Sequence, residues 1–226
     1  MARGKSASYD DQRDMILACA AQLFAKHGYP STSMNQVAQA CHLSKATLYH
    51  YYRDKYSLLL SIADGHVSRL AAMVEDEQAM SLQGEARLRY LINRIVEAYA
   101  GAQDAHRVLT EDVKFLVQAD RERVLDKERL VVARFAQAVA DMQPGLAGQH
   151  LSKPLTMLLF GMINWMFTWM KPEGKLDHAA MGPIVADLFL GGMSQVKAPV
   201  ARRRVKQLKP ALVSTGAPPQ NDQRMP

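Results

Sequence analysis

The chain contains only two cysteines, Cys19 and Cys41, in 226 residues. They form no Cys-x-x-Cys pair, and no histidines stand at the spacing of a zinc site. Each cysteine lies within an apolar helical pattern. We therefore expect two thiols in the hydrophobic core and no bound metal.

A long uninterrupted apolar run is also absent. The longest apolar stretch, 155–170, is broken by two threonines, a glycine and an asparagine, and it is shorter than the ~20 residues that cross a bilayer. It predicts a buried helix. The polar opening Met1-Ala-Arg-Gly-Lys-Ser lacks the apolar region of a secretory signal. The sequence thus predicts a cytoplasmic protein with no membrane partner.

Residue patterns typical of an enzyme are lacking too. A catalytic centre needs a nucleophile beside a base, or paired acids in a cleft. The seven histidines are scattered, and the acidic residues fall mostly on predicted helix surfaces, as in Glu75-Asp-Glu77. We predict no catalytic residues, no cofactor and a function other than catalysis.

What the sequence does contain is helical periodicity. Apolar residues recur at helical spacing nearly throughout and no strand-like alternation persists, which predicts an all-α fold. A first helix bears an apolar stripe from Ile16 to His27, and a Ser-x-x-Gln capping box opens a short second helix. A tight turn and a third short helix follow, and Asp54 caps a long connector. Connector and body helices are predicted at about 54–79, 84–101, 105–118, 120–142, 147–170 and 177–196.

The charge of the chain is uneven. The formal net charge is +6; residues 1–56 carry +3, residues 57–196 carry −3 and residues 197–226 carry +6. Basic ends admit a polyanionic partner. The tail 198–226 holds five prolines and few large apolar side chains, so we expect it to be disordered. We divide the chain into a head up to residue 56, a body at 57–197 and this tail.

The segment after the capping box has the layout of a helix-turn-helix, in which one short helix presents its N-terminal half to the major groove of DNA. If Leu48 faces the core, a rotation of about 100° per residue points Ala46 and His50 directly away, with Thr47 and Tyr49 beside them. This outward face is rich in hydrogen-bond donors and free of acidic residues. It is suited to contact base edges.

Two lysines complete the predicted DNA contacts. Lys45, at the start of the third helix, has a flexible stem that can reach a phosphate or a guanine edge. Lys55 follows the Asp54 cap and can bind a second phosphate. The alternative interpretation makes the tyrosines core aromatics and the lysines ordinary solvated charges. We accept it for Tyr51 and Tyr52, and favour DNA contact for Lys45, Tyr49, His50 and Lys55.

The same stretch resembles the TetR/AcrR family of repressors over residues 11–60. The residues that carry the resemblance are Thr32-Ser33-Met34, Val37-Ala38, the run from Leu43 to Tyr52, and Asp54-Lys55. That family usually has glycine at the position of His42, where the backbone turns with positive φ, and frequently at Ala46. The resemblance and the geometry together give these predicted DNA-binding residues: Thr32, Ser33, Ser44, Lys45, Ala46, Thr47, Tyr49, His50 and Lys55.

The body shows a second resemblance, carried by segments 108–116, 160–174 and 189–193. They are similar to the C-terminal domains of a TetR subgroup that regulates fatty-acid, steroid-ring and phenylacetate degradation in response to acyl-CoA thioesters. The resemblance implies an effector such as phenylacetyl-CoA. Its predicted ligand-binding residues are an apolar set, Phe115, Met162, Trp165, Met166 and Trp169, and candidate anion anchors, Arg94, Lys114, Arg121 and Arg134. The alternative for the apolar set is bundle core and dimer seam.

We expect a homodimer, because the apolar C-terminal helices exceed what one body can hide. Gly161, Gly191 and Gly192 permit close approach of a partner helix. Two heads then read an inverted repeat in double-stranded DNA, and a small effector releases it. Two alternatives stay open: a TetR-type repressor of an efflux or other operon that senses a non-CoA hydrophobic ligand, and a non-specific nucleic-acid-binding protein.

Overall fold

The computed structural model of the protein describes residues 3–147, 150–170 and 176–197, and these ranges contain helices and no strand. The prediction of an all-α fold is confirmed. The predicted tail lies outside the described residues. The helices are α1 Arg3–His27, α2 Met34–Ala40, α3 Lys45–Tyr51, α4 Lys55–Val74, α5 Glu77–Ser81, α6 Gly84–Ala100, α7 Gln103–Asp112, a 3-10 turn Val113–Phe115, α8 Gln118–Met142, α9 Pro144–Ala147, α10 Ser152–Trp169 and α11 His178–Met193.

The starts of the short helices follow the local chemistry of the sequence. The Ser33 hydroxyl accepts from the backbone N–H of Gln36, whose side-chain oxygen accepts from the backbone N–H of Ser33 at 2.8 Å. This is the predicted capping box. Asp54 caps α4 in the same way, accepting at 2.7 Å from the N–H of Ser57. His42 has φ of 54°, the left-handed conformation expected at this turn.

Three predicted boundaries were wrong. The connector ends at Val74, because the Asp76 carboxylate accepts from the N–H of Ala79 at 2.6 Å and starts α5 there. The predicted helix 105–118 ends at Asp112 and tightens into the 3-10 turn. The predicted helix 147–170 begins only at Ser152, and a separate short helix, α9, begins before it at Pro144, since proline fits the first turn of a helix.

Helix α4 belongs to two hydrophobic cores. Its first half, with Leu58 and Ile62, packs with α1, α2, α3 and α7 in a head core. Its second half, with Leu70 and Val74, packs with α6, α8, α10 and α11 in a body core. One continuous helix therefore belongs to both close-packed cores.

A row of polar contacts also ties α4 to α8. The hydroxyl of Tyr56 donates to Asp120 at 2.7 Å, and the ammonium of Lys127 donates to Asp64 at 2.6 Å. Beyond the end of α4, the guanidinium of Arg134 donates to Glu75 at 2.7 Å. These contacts fix the register of α4 against the long helix of the body.

The predicted buried helix 155–170 is buried on one side only. Leu159 and Ile163 on α10 are inside the core, whereas Leu158 and Trp165 are each 66% exposed in the single chain. Leu188 on α11 is 65% exposed. Within the described residues, no helix is both long and apolar enough to cross a membrane.

Candidate DNA-binding surface and effector cavities

The N-terminal cap of α3 and one buried leucine fix the orientation of this helix, which the sequence predicts to contact DNA. Ser44 accepts from the backbone N–H of Thr47 at 3.0 Å, and the two hydroxyls are 2.7 Å apart. Leu48 is fully buried in the head core. Because this side chain faces inward, the opposite face of α3 is directed to solvent, as the helical geometry predicted.

The outward face presents short and basic side chains. Residues 45–47, 49 and 50 are all exposed. The ammonium of Lys45 lies 5.9 Å from the ring centroid of Tyr49, which is 42% exposed. No carboxylate occurs on α3, so nothing on this helix repels a phosphate backbone. The surface can offer hydrogen bonds from Lys45, Thr47, Tyr49 and His50 to base edges in a major groove.

The two tyrosines assigned to the core do face α1. Tyr52 is buried, and its hydroxyl accepts from Nε of Arg13 at 3.3 Å. The ring of Tyr51 stacks on Tyr9 with centroids 4.7 Å apart. Sequence reasoning missed these two partners on α1, because a contact over about forty residues leaves no periodic signal. These contacts fix the angle between α1 and α3.

Three predicted DNA contacts lie at the edge of the surface. Ser33 is exposed, but Thr32 is buried and its hydroxyl donates to the carbonyl of Gly28 at 3.0 Å. The ammonium of Lys55 donates to the carbonyl oxygens of Tyr29 at 2.8 Å and Pro30 at 3.1 Å. Lys55 thus also braces the loop between α1 and α2. Its phosphate contact stays a prediction and uses the remaining N–H.

The body contains a buried polar cluster that sequence reasoning missed. Nε2 of His66 on α4 and Nδ1 of His106 on α7 are 3.3 Å apart, and the Tyr99 ring lies 3.9 Å from that of His106. His106 also pairs with the side chain of Asn164 on α10. The signals were a histidine within the apolar stripe of α4 and the asparagine that breaks the apolar run of α10.

The two imidazoles are held neutral. Burial, with smaller contributions from neighbouring His106 and Arg69, lowers the pKa of His66 to about 3. Burial lowers the pKa of His106 to about 4, although its contact with Asn164 opposes the shift. In the neutral pair one ring donates and the other accepts across the 3.3 Å contact.

Two cavities meet at this cluster. A small inner cavity of about 10 Å³ has room for about one water molecule. An open outer cleft of about 700 Å³ lies between α1, α4 and the junction of α6 with α7. Gln103 lines both cavities, and His66 lines the outer one where His106 lines the inner one. The inner cavity is lined by Tyr99, Gln103, His106, Ile163, Met166 and His178.

Models of one protein family match both the head and the body of the chain. A model of the bacterial regulatory proteins of the tetR family matches residues 16–62, and a model of the tetracyclin repressor-like C-terminal domain matches residues 81–193. The chain belongs to the TetR family of transcriptional regulators. The resemblance expected from residues 11–60 is thereby confirmed.

Individual relatives agree with this assignment. The crystal structure of a TetR-family transcriptional regulator from Bordetella parapertussis is 32% identical, with a TM-score of 0.74, over 83% of this chain and 98% of that one. The repressor KstR2 of Rhodococcus jostii is 29% identical over 186 residues, which are 81% of this chain and 91% of that protein. AibR, solved with isovaleryl coenzyme A and operator DNA, is 23% identical with a TM-score of 0.64, over 84% of this chain and 100% of that one; this similarity shows the fold alone.

The TetR-family body brings together only part of the predicted apolar pocket. Met166 lines the inner cavity and Met162 is half-buried against the body core. Trp165 and Trp169 point outward from α10, where they are 66% and 52% exposed. Phe115 lies on the 3-10 turn, with its ring 5.4 Å from that of Tyr29, next to the head.

The predicted anion anchors are spread over the surface, and none lines the inner cavity or the outer cleft. Arg94 pairs with Glu97 at 3.0 Å, and Arg134 is engaged by Glu75. Lys114 and Arg121 are exposed, and the ammonium of Lys114 lies over the Phe115 ring at 5.3 Å. Their role as ligand contacts stays a prediction.

Proposed function

We propose that this TetR-family regulator is a homodimeric repressor that binds an inverted-repeat operator and releases it when an acyl-CoA thioester, such as phenylacetyl-CoA, binds the body. The observation that carries the proposal is the position of α4. Its first half packs in the head core and its second half in the body core. A ligand that changes the body therefore acts on the recognition helix through α4.

The exposed face of α3 supports specific DNA binding. Thr47, Tyr49 and His50 present hydroxyl and imidazole groups on a helix whose base is fixed by Leu48. One such helix reads only a few base pairs, so useful specificity needs two. In a two-fold dimer, recognition helices about 34–36 Å apart meet successive major grooves on one side of the duplex.

The exposed apolar residues of α10 and α11 support the dimer. In a monomer, two tryptophans and several aliphatic side chains on these neighbouring helices would remain in contact with water, and such an exposed apolar patch is typical of an interaction surface. Each of Gly161, Gly191 and Gly192 has open space where a Cβ would lie, so a partner helix can approach closely. The side chains that we assign to the interface are Met157, Leu158, Trp165, Trp169, Ile184 and Leu188.

An open groove of about 890 Å³ between α8 and the start of α10 belongs to the same surface. It is lined by Val132 and Ala136 of α8 and reaches Met157 of α10, which is 52% exposed. Because it continues onto the apolar face of α10, we assign the groove to the dimer interface and not to the effector.

The inner cavity supports an effector site in the body. It lies between α6, α7, α10 and α11, the place where a ligand would have to separate α7 from α10. Helix α7 packs on α1 and α4, so this separation reaches the head. A thioester is the effector class that the resemblance of the body implies, and AibR, with the same fold, was solved with isovaleryl coenzyme A. Ligand and DNA then oppose each other through one coupling energy.

Native mass spectrometry of the purified protein tests the proposal, together with DNase footprinting of the DNA upstream of the gene that encodes it. We expect a dimer mass, a footprint over an inverted repeat and loss of the footprint with phenylacetyl-CoA. A footprint over one non-palindromic half-site contradicts the proposal that a two-fold dimer binds the operator. If free phenylacetate or another non-CoA hydrophobic compound abolishes the footprint and the thioester does not, the thioester assignment is wrong and the repressor assignment stands.

A further inference from the structure

We propose that the outer cleft between head and body binds the coenzyme A part of the effector and that Arg69 is its anion anchor. This inference rests on the proposed thioester effector. Of the inner cavity and the outer cleft, only the cleft has enough room for a coenzyme A group, since small-molecule sites occupy roughly 300–1,000 Å³. Its volume of about 700 Å³ falls in that range.

Arg69 is available to a ligand. It lies on α4, lines the cleft and is exposed. Its Nη1 lies 3.6 Å from the position that a Cβ on Gly65 would take, so the guanidinium extends along the surface of α4. Within 3–147, 150–170 and 176–197 it forms no hydrogen bond or ion pair, unlike Arg94 and Arg134, which have acidic partners. A free guanidinium binds phosphate through paired N–H groups.

The other walls of the cleft suit the remaining chemistry of coenzyme A. Asp14 on α1 and Asp104 on α7 also face the cleft. They repel an anion close to them, but they accept hydrogen bonds from amide N–H, amino and hydroxyl groups, which coenzyme A carries along with its phosphates. The rest of the lining is small, since alanine and glycine predominate from 98 to 105. A narrow, extended chain can therefore lie along it.

The cleft also leads to the inner cavity. Gln103 is shared by the two, and the His66–His106 contact of 3.3 Å forms the wall between them. A thioester with its phosphates at Arg69 places its acyl group towards this wall. Because the cleft is bounded by α1 of the head and by α4, the bound ligand contacts both the head and the body.

Isothermal titration calorimetry of wild type, Arg69→Ala, Arg69→Lys and the control Arg107→Ala tests the assignment, with phenylacetyl-CoA, coenzyme A and phenylacetate as probes. Arg107 is an exposed arginine of α7 that lines neither cavity. Loss of one charged hydrogen-bond partner should weaken binding of both CoA compounds by about 10- to 100-fold in Arg69→Ala. Arg69→Lys should restore part of the lost affinity, and Arg107→Ala should match wild type. The salt dependence of the CoA affinity should flatten only in Arg69→Ala.

Hydrogen exchange supplies a second readout that does not depend on the variant. Phenylacetyl-CoA should protect residues 14–21 and 98–105, which line the cleft. If the thioester binds wild type and Arg69→Ala equally, or protects other segments only, the cleft is not its site, although the proposed function survives. If no thioester binds wild type, the proposed effector and this assignment both fail.

Discussion

The His66–His106 pair makes the stability of the protein depend on pH in a predictable direction. In the unfolded chain each histidine has the ordinary pKa of 6.5, and in the folded protein the values are about 3 and about 4. The unfolded state therefore binds protons first as the pH falls. Stability from the neutral pair is complete above pH 6.5 and is lost progressively as the pH falls towards the folded values.

The size of the effect follows from the same values. At about pH 5 an unfolded histidine with a pKa of 6.5 is stabilised by protonation by about 2 kcal/mol, while the folded rings remain almost entirely neutral. At that pH the two histidines together lower the free energy of unfolding by about 4 kcal/mol, which is a large part of the roughly 5–15 kcal/mol typical of proteins. Burial raises the pKa of Glu128, and this contributes in the opposite direction on acidification.

Urea unfolding of wild type at about pH 7.5 and pH 5 measures the change in the free energy of unfolding with pH. Comparison with histidine variants separates the contribution of each ring from that of the other titrating groups. His66→Gln and His106→Gln should each lose about half of the acid destabilisation, because each removes one titrating ring. His27→Gln, at an exposed histidine on α1, should behave as wild type. An equal pH effect in wild type and in both buried variants refutes the assignment of neutral, buried imidazoles.

The remaining predictions concern DNA binding and assembly. Thr47→Ala and His50→Ala should each cost about 1–3 kcal/mol on operator and relax base preference, with little change on random DNA; equal losses on both DNAs contradict base contact. Lys55→Ala should weaken binding to all sequences and lower the salt slope by about one, and an unchanged slope would show that Lys55 acts only through the loop carbonyls. Leu188→Asp should cost the dimer at least about 3 kcal/mol, since the two-fold interface buries this leucine twice, and analytical ultracentrifugation should show monomers. The control Met80→Asp, at a side chain of α5 that is 51% exposed, should stay dimeric. A dimeric Leu188→Asp contradicts the assigned interface.

Local chemistry was predictable from the sequence. The capping pairs at Ser33 and Asp54 involve residues three apart, and the core position of Leu48 follows from helical rotation alone. The positive φ of His42 followed from the family resemblance. These features depend on a few neighbouring residues, so a linear pattern contains most of their cause.

Contacts between distant residues were not predictable. Periodicity identified α10 as apolar, but a helix with two apolar faces does not reveal which one meets its own body and which one meets a partner. Trp165 therefore entered the predicted pocket although it lies on the outer face. Lys55 meets carbonyls about 26 residues away, and His66 meets His106 across 40 residues. Nor does a single exposed arginine such as Arg69 stand out before the fold places it beside a cleft.

The most direct test of regulated, specific DNA binding is fluorescence anisotropy of the footprinted operator and a scrambled duplex at fixed salt, with phenylacetyl-CoA added to each. We expect tight binding to the operator, weak binding to the scrambled duplex, and a loss of operator affinity by about 5- to 150-fold at saturating thioester. Equal affinity for the two duplexes contradicts a specific regulator, and operator affinity that phenylacetyl-CoA leaves unchanged contradicts the proposed effector.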